Sequence, residues 1–165
     1  MNRDGHMTRL TFSLDVSRCS GCMACVVACM DQNDPPEGIL GFRSVERIEM
    51  GAYPHVRISF VSISCFNCEN PPCIMVCPTG AIRRSGNNGI VQTVTDLCIG
   101  CHACLMACPF GSPVFGGAGT MTKCNSCEER VDQGLEPACV RVCPTRALRF
   151  GPAARAALET PGETG

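Results

Sequence analysis

Sixteen cysteines in a chain of 165 residues fall into four sets of four, with none left over. Cys19, Cys22, Cys25 and Cys29 make the first set, and Cys98, Cys101, Cys104 and Cys108 the third; both have the spacing C-x2-C-x2-C-x3-C. The second set, Cys65, Cys68, Cys73 and Cys77, reads C-x2-C-x4-C-x3-C. The fourth, Cys124, Cys127, Cys139 and Cys143, reads C-x2-C-x11-C-x3-C. Three cysteines in a tight loop can each reach a different iron of one cuboidal [4Fe–4S] core, while the fourth sits on a segment leading away. In the two-cluster ferredoxin pattern that fourth thiolate ligates the other cluster of the pair, and a proline follows it. Pro78, Pro109 and Pro144 follow the last cysteine of the second, third and fourth sets; Met30 takes that place in the first. Gly21 and Gly100, between ligands, let the backbone turn tightly around a cluster.

Other uses of cysteine fit less well. Disulfides have no need of thiols at i, i+3 and i+6. Zinc can use two C-x2-C pairs per site, but that does not account for three close cysteines, a fourth and a proline, repeated. A zinc-stapled interaction module is therefore the weaker reading. The rest of the composition points the same way. Trp is absent, Tyr occurs once and Phe seven times, so large apolar groups are too scarce for an ordinary core. Thiolates with inorganic clusters would fill that space.

The formal charge of −1 counts every cysteine as neutral. Each oxidised [4Fe–4S] core bound by four thiolates nets about −2, so four would bring the protein to about −9, and full one-electron reduction to about −13. No lysine-rich stripe offsets this, which argues against nucleic acid as a partner. There is no nucleophile–base pair, no glycine-rich phosphate loop and no suggestive carboxylate pair, so no catalytic site is expected. The first twelve residues carry no apolar h-region and no twin-arginine pair, and nowhere do 18 apolar residues run together. The expected setting is cytoplasmic, without a membrane span, where thiols stay reduced.

Short elements must position these ligands. Residues 11–16 alternate, with Phe12, Leu14 and Val16 on one face, and residues 56–63 do likewise through Val56, Ile58 and Phe60. Residues 81–82 and 89–91 flank a turn-prone stretch at 85–88 and read as a hairpin. Helices are expected to be short and to begin near the third cysteine of a set, with 23–30 and 103–107 the best candidates. Residues 34–38 and 114–119 read as loops, and the tail at 151–165 has one helical turn at 153–158. Met23, Met75 and Met106 lie beside ligands and read as core filling. His55 reads as a strand-surface histidine and His102 as an exposed residue between Cys101 and Cys104. Arg83 and Arg84 are a solvated edge or a docking patch for an acidic partner.

The insertions in the second and fourth sets carry a resemblance. Cys65-Phe66-Asn67-Cys68-Glu69-Asn70-Pro71-Pro72-Cys73 with Cys77-Pro78-Thr79-Gly80-Ala81 is similar to the second cysteine set of the four-cluster iron–sulfur subunits of dimethyl sulfoxide reductase-type molybdoenzymes. Lys123-Cys124 through Arg130-Val131, Gly134, Pro137, Cys139 and Cys143-Pro144-Thr145-Arg146-Ala147-Leu148 resembles the fourth set of the same family, over a match from about 14 to 151. Small polyferredoxin subunits of tungsten aldehyde oxidoreductases are also similar.

The resemblance implies an α+β fold of two ferredoxin-like lobes, each holding two [4Fe–4S] clusters, with few short strands and helices. Lobe one would come from sets one and four (about 10–45 and 118–150) and lobe two from sets two and three (about 55–117), in one domain over 1–150 with a tail at 151–165. The implied ligands are Cys19, Cys22, Cys25 and Cys143 for cluster 1, and Cys65, Cys68, Cys73 and Cys108 for cluster 2. Cluster 3 would take Cys98, Cys101, Cys104 and Cys77, and cluster 4 Cys124, Cys127, Cys139 and Cys29. Some members lose a ligand of the third set and hold a three-iron cluster; all four are present here. The implied function is electron transfer as the iron–sulfur subunit of a soluble complex whose large catalytic subunit carries a molybdenum or tungsten pterin. A flavin subunit or further copies of the chain could complete the complex. A free-standing polyferredoxin shuttle is the alternative.

Overall fold

A computed structural model describes residues 9–152 apart from 36, 40 and 87. Its described strands pair into four separate two-stranded antiparallel sheets, with short helices between them, an α+β arrangement. The first sheet joins the two ends of the described chain. Strand β1 (Leu10–Leu14) pairs with β8 (Leu148–Pro152), setting Phe12 opposite Phe150 and Leu14 opposite Leu148. The two phenyl rings meet at 4.8 Å, a cross-strand contact of the kind that fixes register. Beneath them Cys139, Val140 and Leu148 form a buried cluster with Phe12, Leu14, Cys25 and Cys143. Helix α1 (Ala24–Asn33) packs on α5 (Ala138–Arg141).

A longer hairpin follows α1. Strands β2 (Arg43–Met50) and β3 (Arg57–Ser64) pair over eight residues each. Its base is packed inward through Arg43 and Ser62, while its outer half is exposed.

The middle of the chain builds a second cluster. Helix α2 (Pro72–Met75) packs on α3 (Ala103–Ala107), and the hairpin of β4 (Ile82–Arg84) and β5 (Val91–Thr93) covers them. Ile82, Val91 and Met121 are buried with Cys73 and Cys104. The short strands β6 (Val114–Phe115) and β7 (Met121–Thr122) close this region, and α4 (Glu128–Asp132) follows Cys127. In both clusters cysteines stand among the apolar side chains, as the shortage of large hydrophobic residues requires.

Asn67 ties the two clusters together. Its side chain is 2% exposed, accepts a hydrogen bond from the Val91 N–H at 2.6 Å and donates to the Leu10 carbonyl at 3.1 Å. It thereby links β5 to β1.

Several local expectations change. Val114 and Phe115 are a strand rather than part of a loop, because the turn at 116–119 folds Met121 and Thr122 back against them. Strands β2 and β8 and helix α4 had no clear periodic signal. The expected helical turn at 153–158 lies outside the described residues.

Candidate metal centres

The ligand loops of sets one and three are built alike. Gly21 (φ 68°) and Gly100 (φ 66°) adopt left-handed backbone, as do Met23 (φ 63°) and His102 (φ 60°) two residues on. These turns bring the third cysteine into the first turn of α1 or α3. A Cβ on Gly100 would lie 2.5 Å from the Gly119 carbonyl oxygen, and one on Gly21 2.5 Å from the Phe60 ring, so both glycines are required by space as well as by φ. Sets two and four share another construction. After α2 and α5, Cys77-Pro78-Thr79-Gly80-Ala81 and Cys143-Pro144-Thr145-Arg146-Ala147 make the same turn, with Gly80 (φ 65°) and Arg146 (φ 51°) in the left-handed region. In each, the threonine hydroxyl lies 3.7 Å from the cysteine sulfur.

Three cavities are lined by cysteines. Site A, about 340 Å³ including space open to solvent, is lined by Cys19, Cys22, Cys25 and Cys143. Site C, about 370 Å³, is lined by Cys65, Cys68, Cys73 and Cys108. Site D, about 300 Å³, is lined by Cys98, Cys101, Cys104 and Cys77. In every case three cysteines come from one set and the fourth is the last cysteine of another. The remaining four, Cys29, Cys124, Cys127 and Cys139, form region B. Cys127 and Cys29 lie near enough to Cys139 to act on its charge, and Cys124 is influenced by Cys65 of site C. The order A, B, C, D therefore runs through the molecule, with Ser62 at the A–B boundary, its hydroxyl 3.5 Å from the Cys25 sulfur.

Burial governs the thiols. It pushes Cys124 up to about 12 and Cys139 up to about 11, with nearby thiols adding to the rise and Arg43 opposing it. Cys124 keeps some accessible surface yet sits deep in the molecule. Burial likewise raises Cys29, Cys68, Cys73 and Cys104. At Cys77 and Cys143 burial also acts upward, but it is outweighed. Backbone groups of Ile82, Thr79 and Ala81, with the Thr79 hydroxyl, lower Cys77; those of Leu148, Ala147 and Thr145, with the Thr145 hydroxyl, lower Cys143.

These residues fit iron–sulfur clusters. All sixteen cysteines are unpaired thiols. Among the described residues no three of His, Cys, Asp or Glu converge closely enough to grip a single ion. A tetrahedral zinc–thiolate site needs sulfurs only about 3.8 Å apart, given Zn–S bonds of about 2.3 Å. Thiols spread around a larger cavity suit a cuboidal core instead. Donors already aim at several sulfurs. The Met121 N–H lies 3.4 Å from Cys98 Sγ, the Ser126 N–H 3.4 Å from Cys124 Sγ, and Asn33 Nδ2 3.6 Å from Cys29 Sγ. Such bonds orient metal ligands and tune them.

Other expectations divide. His102 stacks on Phe115 at 3.9 Å and lines site D. His55 is exposed, but in the turn of the β2–β3 hairpin rather than on a strand. The methionines are not core filling: Met75 is 80% and Met106 85% exposed, because α2 and α3 are single turns that direct Cys73 and Cys104 inward and their methionines outward. Arg83 is exposed, whereas Arg84 donates to the carbonyls of Gly89 and Cys68 at 2.8 and 2.7 Å and fastens the β4–β5 hairpin to a ligand loop. Sequence reasoning missed the buried cations Arg43 and Lys123. It also gave no role to Thr79 and Thr145, although the repeated Cys-Pro-Thr was a visible signal.

Two family models match the chain, both described as 4Fe-4S dicluster domains, over residues 18–81 and 56–153. Two diclusters give four [4Fe–4S] clusters, and sixteen cysteines supply four thiolates to each. The B subunit of the anaerobic dimethyl sulfoxide reductase of Escherichia coli K12 is 43% identical over 155 residues, covering 88% of this chain and 74% of that protein. Thiosulfate reductase electron transfer subunit PhsB of Salmonella typhi is 45% identical over 150 residues, covering 88% and 78%. Protein NrfC of Escherichia coli K12 is 42% identical over 142 residues, covering 83% and 62%.

Proposed function

The chain belongs to the 4Fe-4S dicluster family, and from that premise we propose that it is the relay subunit of a pterin-metal oxidoreductase. It is an iron–sulfur electron-transfer subunit, as its relatives are, and has no catalytic role of its own. The finer reading is that sites A, B, C and D each hold one [4Fe–4S] cluster. Cys19, Cys22, Cys25 and Cys143 would hold the first and Cys124, Cys127, Cys139 and Cys29 the next. Cys65, Cys68, Cys73 and Cys108 would hold the third and Cys98, Cys101, Cys104 and Cys77 the last. A and B make one ferredoxin-like lobe, from 10–45 and 118–150, and C and D the other, from 55–117, within one domain. The observation that carries this reading is that each of the three cavities is lined by three cysteines of one set and the last of another.

Bound clusters supply one-electron carriers whose potentials follow net charge, hydrogen bonds to sulfur and solvent exposure. The polypeptide's own part is to hold sixteen thiolates, exclude water from region B and aim donors at the sulfurs. The partner is a large catalytic subunit with a molybdenum or tungsten pterin, at one end of the array. A flavin subunit or a second copy of the chain meets the other end. The relatives' names, which attach iron–sulfur subunits to dimethyl sulfoxide and thiosulfate reduction, support a reductase of this type. No helix among the described residues is long and apolar enough to cross a membrane. The proposed compartment is the cytoplasm, where free thiols persist.

Anaerobic purification of the native complex tests this reading. The expected result is about sixteen irons and about sixteen acid-labile sulfides per chain, with a much larger co-eluting chain containing molybdenum or tungsten. About eight irons, or zinc, would overturn the cluster assignment. A lone iron-replete monomer with no pterin metal in any fraction would favour a free shuttle.

A further inference from the structure

Two cations are buried in this chain, and the electron-transfer reading by itself gives them no task. Lys123 is 7% and Arg43 4% exposed, although such side chains are almost never buried without a partner. Neither forms a carboxylate ion pair; the described pair is the exposed Arg47–Glu49. Lys123 donates to the carbonyls of Val91 and Cys124. Arg43 donates to the hydroxyls of Ser62 and Ser64 at 3.0 and 2.8 Å and lies over the Phe12 ring, 4.7 Å from its centroid. Neutral acceptors satisfy their hydrogen bonds and leave both positive charges uncompensated in the interior.

Their positions are systematic. Lys123 lines site C and precedes Cys124 of region B, so it stands at the B–C junction. Arg43 reaches Ser62, whose hydroxyl adjoins Cys25 of site A, and hydrogen-bonds Cys139 of region B, so it stands at the A–B junction. No Lys or Arg lines site D.

We propose that Lys123 and Arg43 are potential-setting residues, two fixed positive charges at successive junctions of the cluster array that favour the reduced state of the clusters beside them. This rests on the cluster assignment above. Reduction adds a negative charge to a site that already nets about −2 when oxidised. In a low-dielectric interior a cation a few ångströms away opposes that added charge far more strongly than a surface cation would. The same attraction acts on the thiols, where Arg43 lowers Cys29, Cys139 and Cys124 against burial, and Lys123 lowers Cys73 and Cys124.

EPR-monitored redox titration of the purified complex, after iron analysis, tests the proposal with Lys123→Met, Lys123→Arg, Arg43→Gln and Arg43→Lys. Each neutral variant should lower at least one midpoint by tenfold or more in the one-electron equilibrium, about 59 mV. The charge-keeping variants should stay nearer the parent, and the cluster at site D should keep its midpoint throughout. Iron-replete neutral variants with all four midpoints unmoved would overturn the inference and leave the cluster assignment standing. Fewer than about sixteen irons in the unmodified protein would overturn both. If a neutral variant loses iron, retention by its charge-keeping counterpart supports the charge. Loss from both variants at one position would make that residue structural and overturn its role.

Discussion

Replacing Cys29 with serine separates two ways of dividing the ligands. By sequence Cys29 completes the first set; by its surroundings it belongs with region B. The residue is 5% exposed on α1, and its thiol is raised first by burial and also by Cys127. The helix should survive the change, because Asn33 Nδ2 holds the Cys29 backbone carbonyl at 2.8 Å whatever the side chain. Region B would lose one of four thiolates. Iron should then fall from about sixteen per chain to about twelve if that cluster is lost, or to about fifteen if only the unsupported iron leaves. Iron analysis measures the loss, and EPR difference spectra assign it. The component missing from Cys29→Ser should coincide with that missing from Cys124→Ser and differ from that missing from Cys22→Ser. Coincidence with Cys22→Ser would refute the pairing, for Cys29 would then serve its own set.

Removing iron anaerobically with a chelator should abolish most of the far-UV circular dichroism, since metal–ligand bonds supply much of the folding energy; native dichroism without iron would contradict this. Gly100→Ala should disorder its ligand loop, because left-handed backbone costs an ordinary residue about 1–2 kcal/mol and the new Cβ would strike the Gly119 carbonyl. Gly80→Arg should be tolerated, since nothing lies within 4 Å of a Cβ there and Arg146 occupies the matching turn; visible absorbance and thermal midpoints compare the two. Asn67→Ala would leave the Val91 N–H and the Leu10 carbonyl unpaired, at about 1–3 kcal/mol each, and should hasten anaerobic bleaching in guanidinium.

The chemistry was more legible than the scaffold. Cysteine spacing needs no tertiary information, because it reports which thiols can reach one small core. The strand at 10–14 and the helix at 103–107 were also readable, from alternation and from the third-cysteine rule. Strand β8 was not, because Gly151 and Pro152 spoil its pattern and pairing with β1 overrides local preference. Short helix α4 has no periodicity to find. Lys123 and Arg43 were invisible as buried groups, because a lone cation in a sequence reads as surface. Met75 and Met106 misled in the opposite direction, since one helical turn has too few residues to show which face is covered.

The β1–β8 pairing has a consequence for how such a chain is made. A ribosome delivers Leu10–Leu14 first and Leu148–Pro152 last among these elements. Throughout synthesis β1 is an unpaired edge, the kind of surface that invites misassociation. Site A waits for Cys143, whereas the thiols lining sites C and D are all present once Cys108 has emerged. Maturation therefore has a built-in sequence, with the middle of the chain ready for metal while its beginning is still open. A chain truncated before Leu148 would be caught at that half-finished stage, which makes the last strand a checkpoint on completeness.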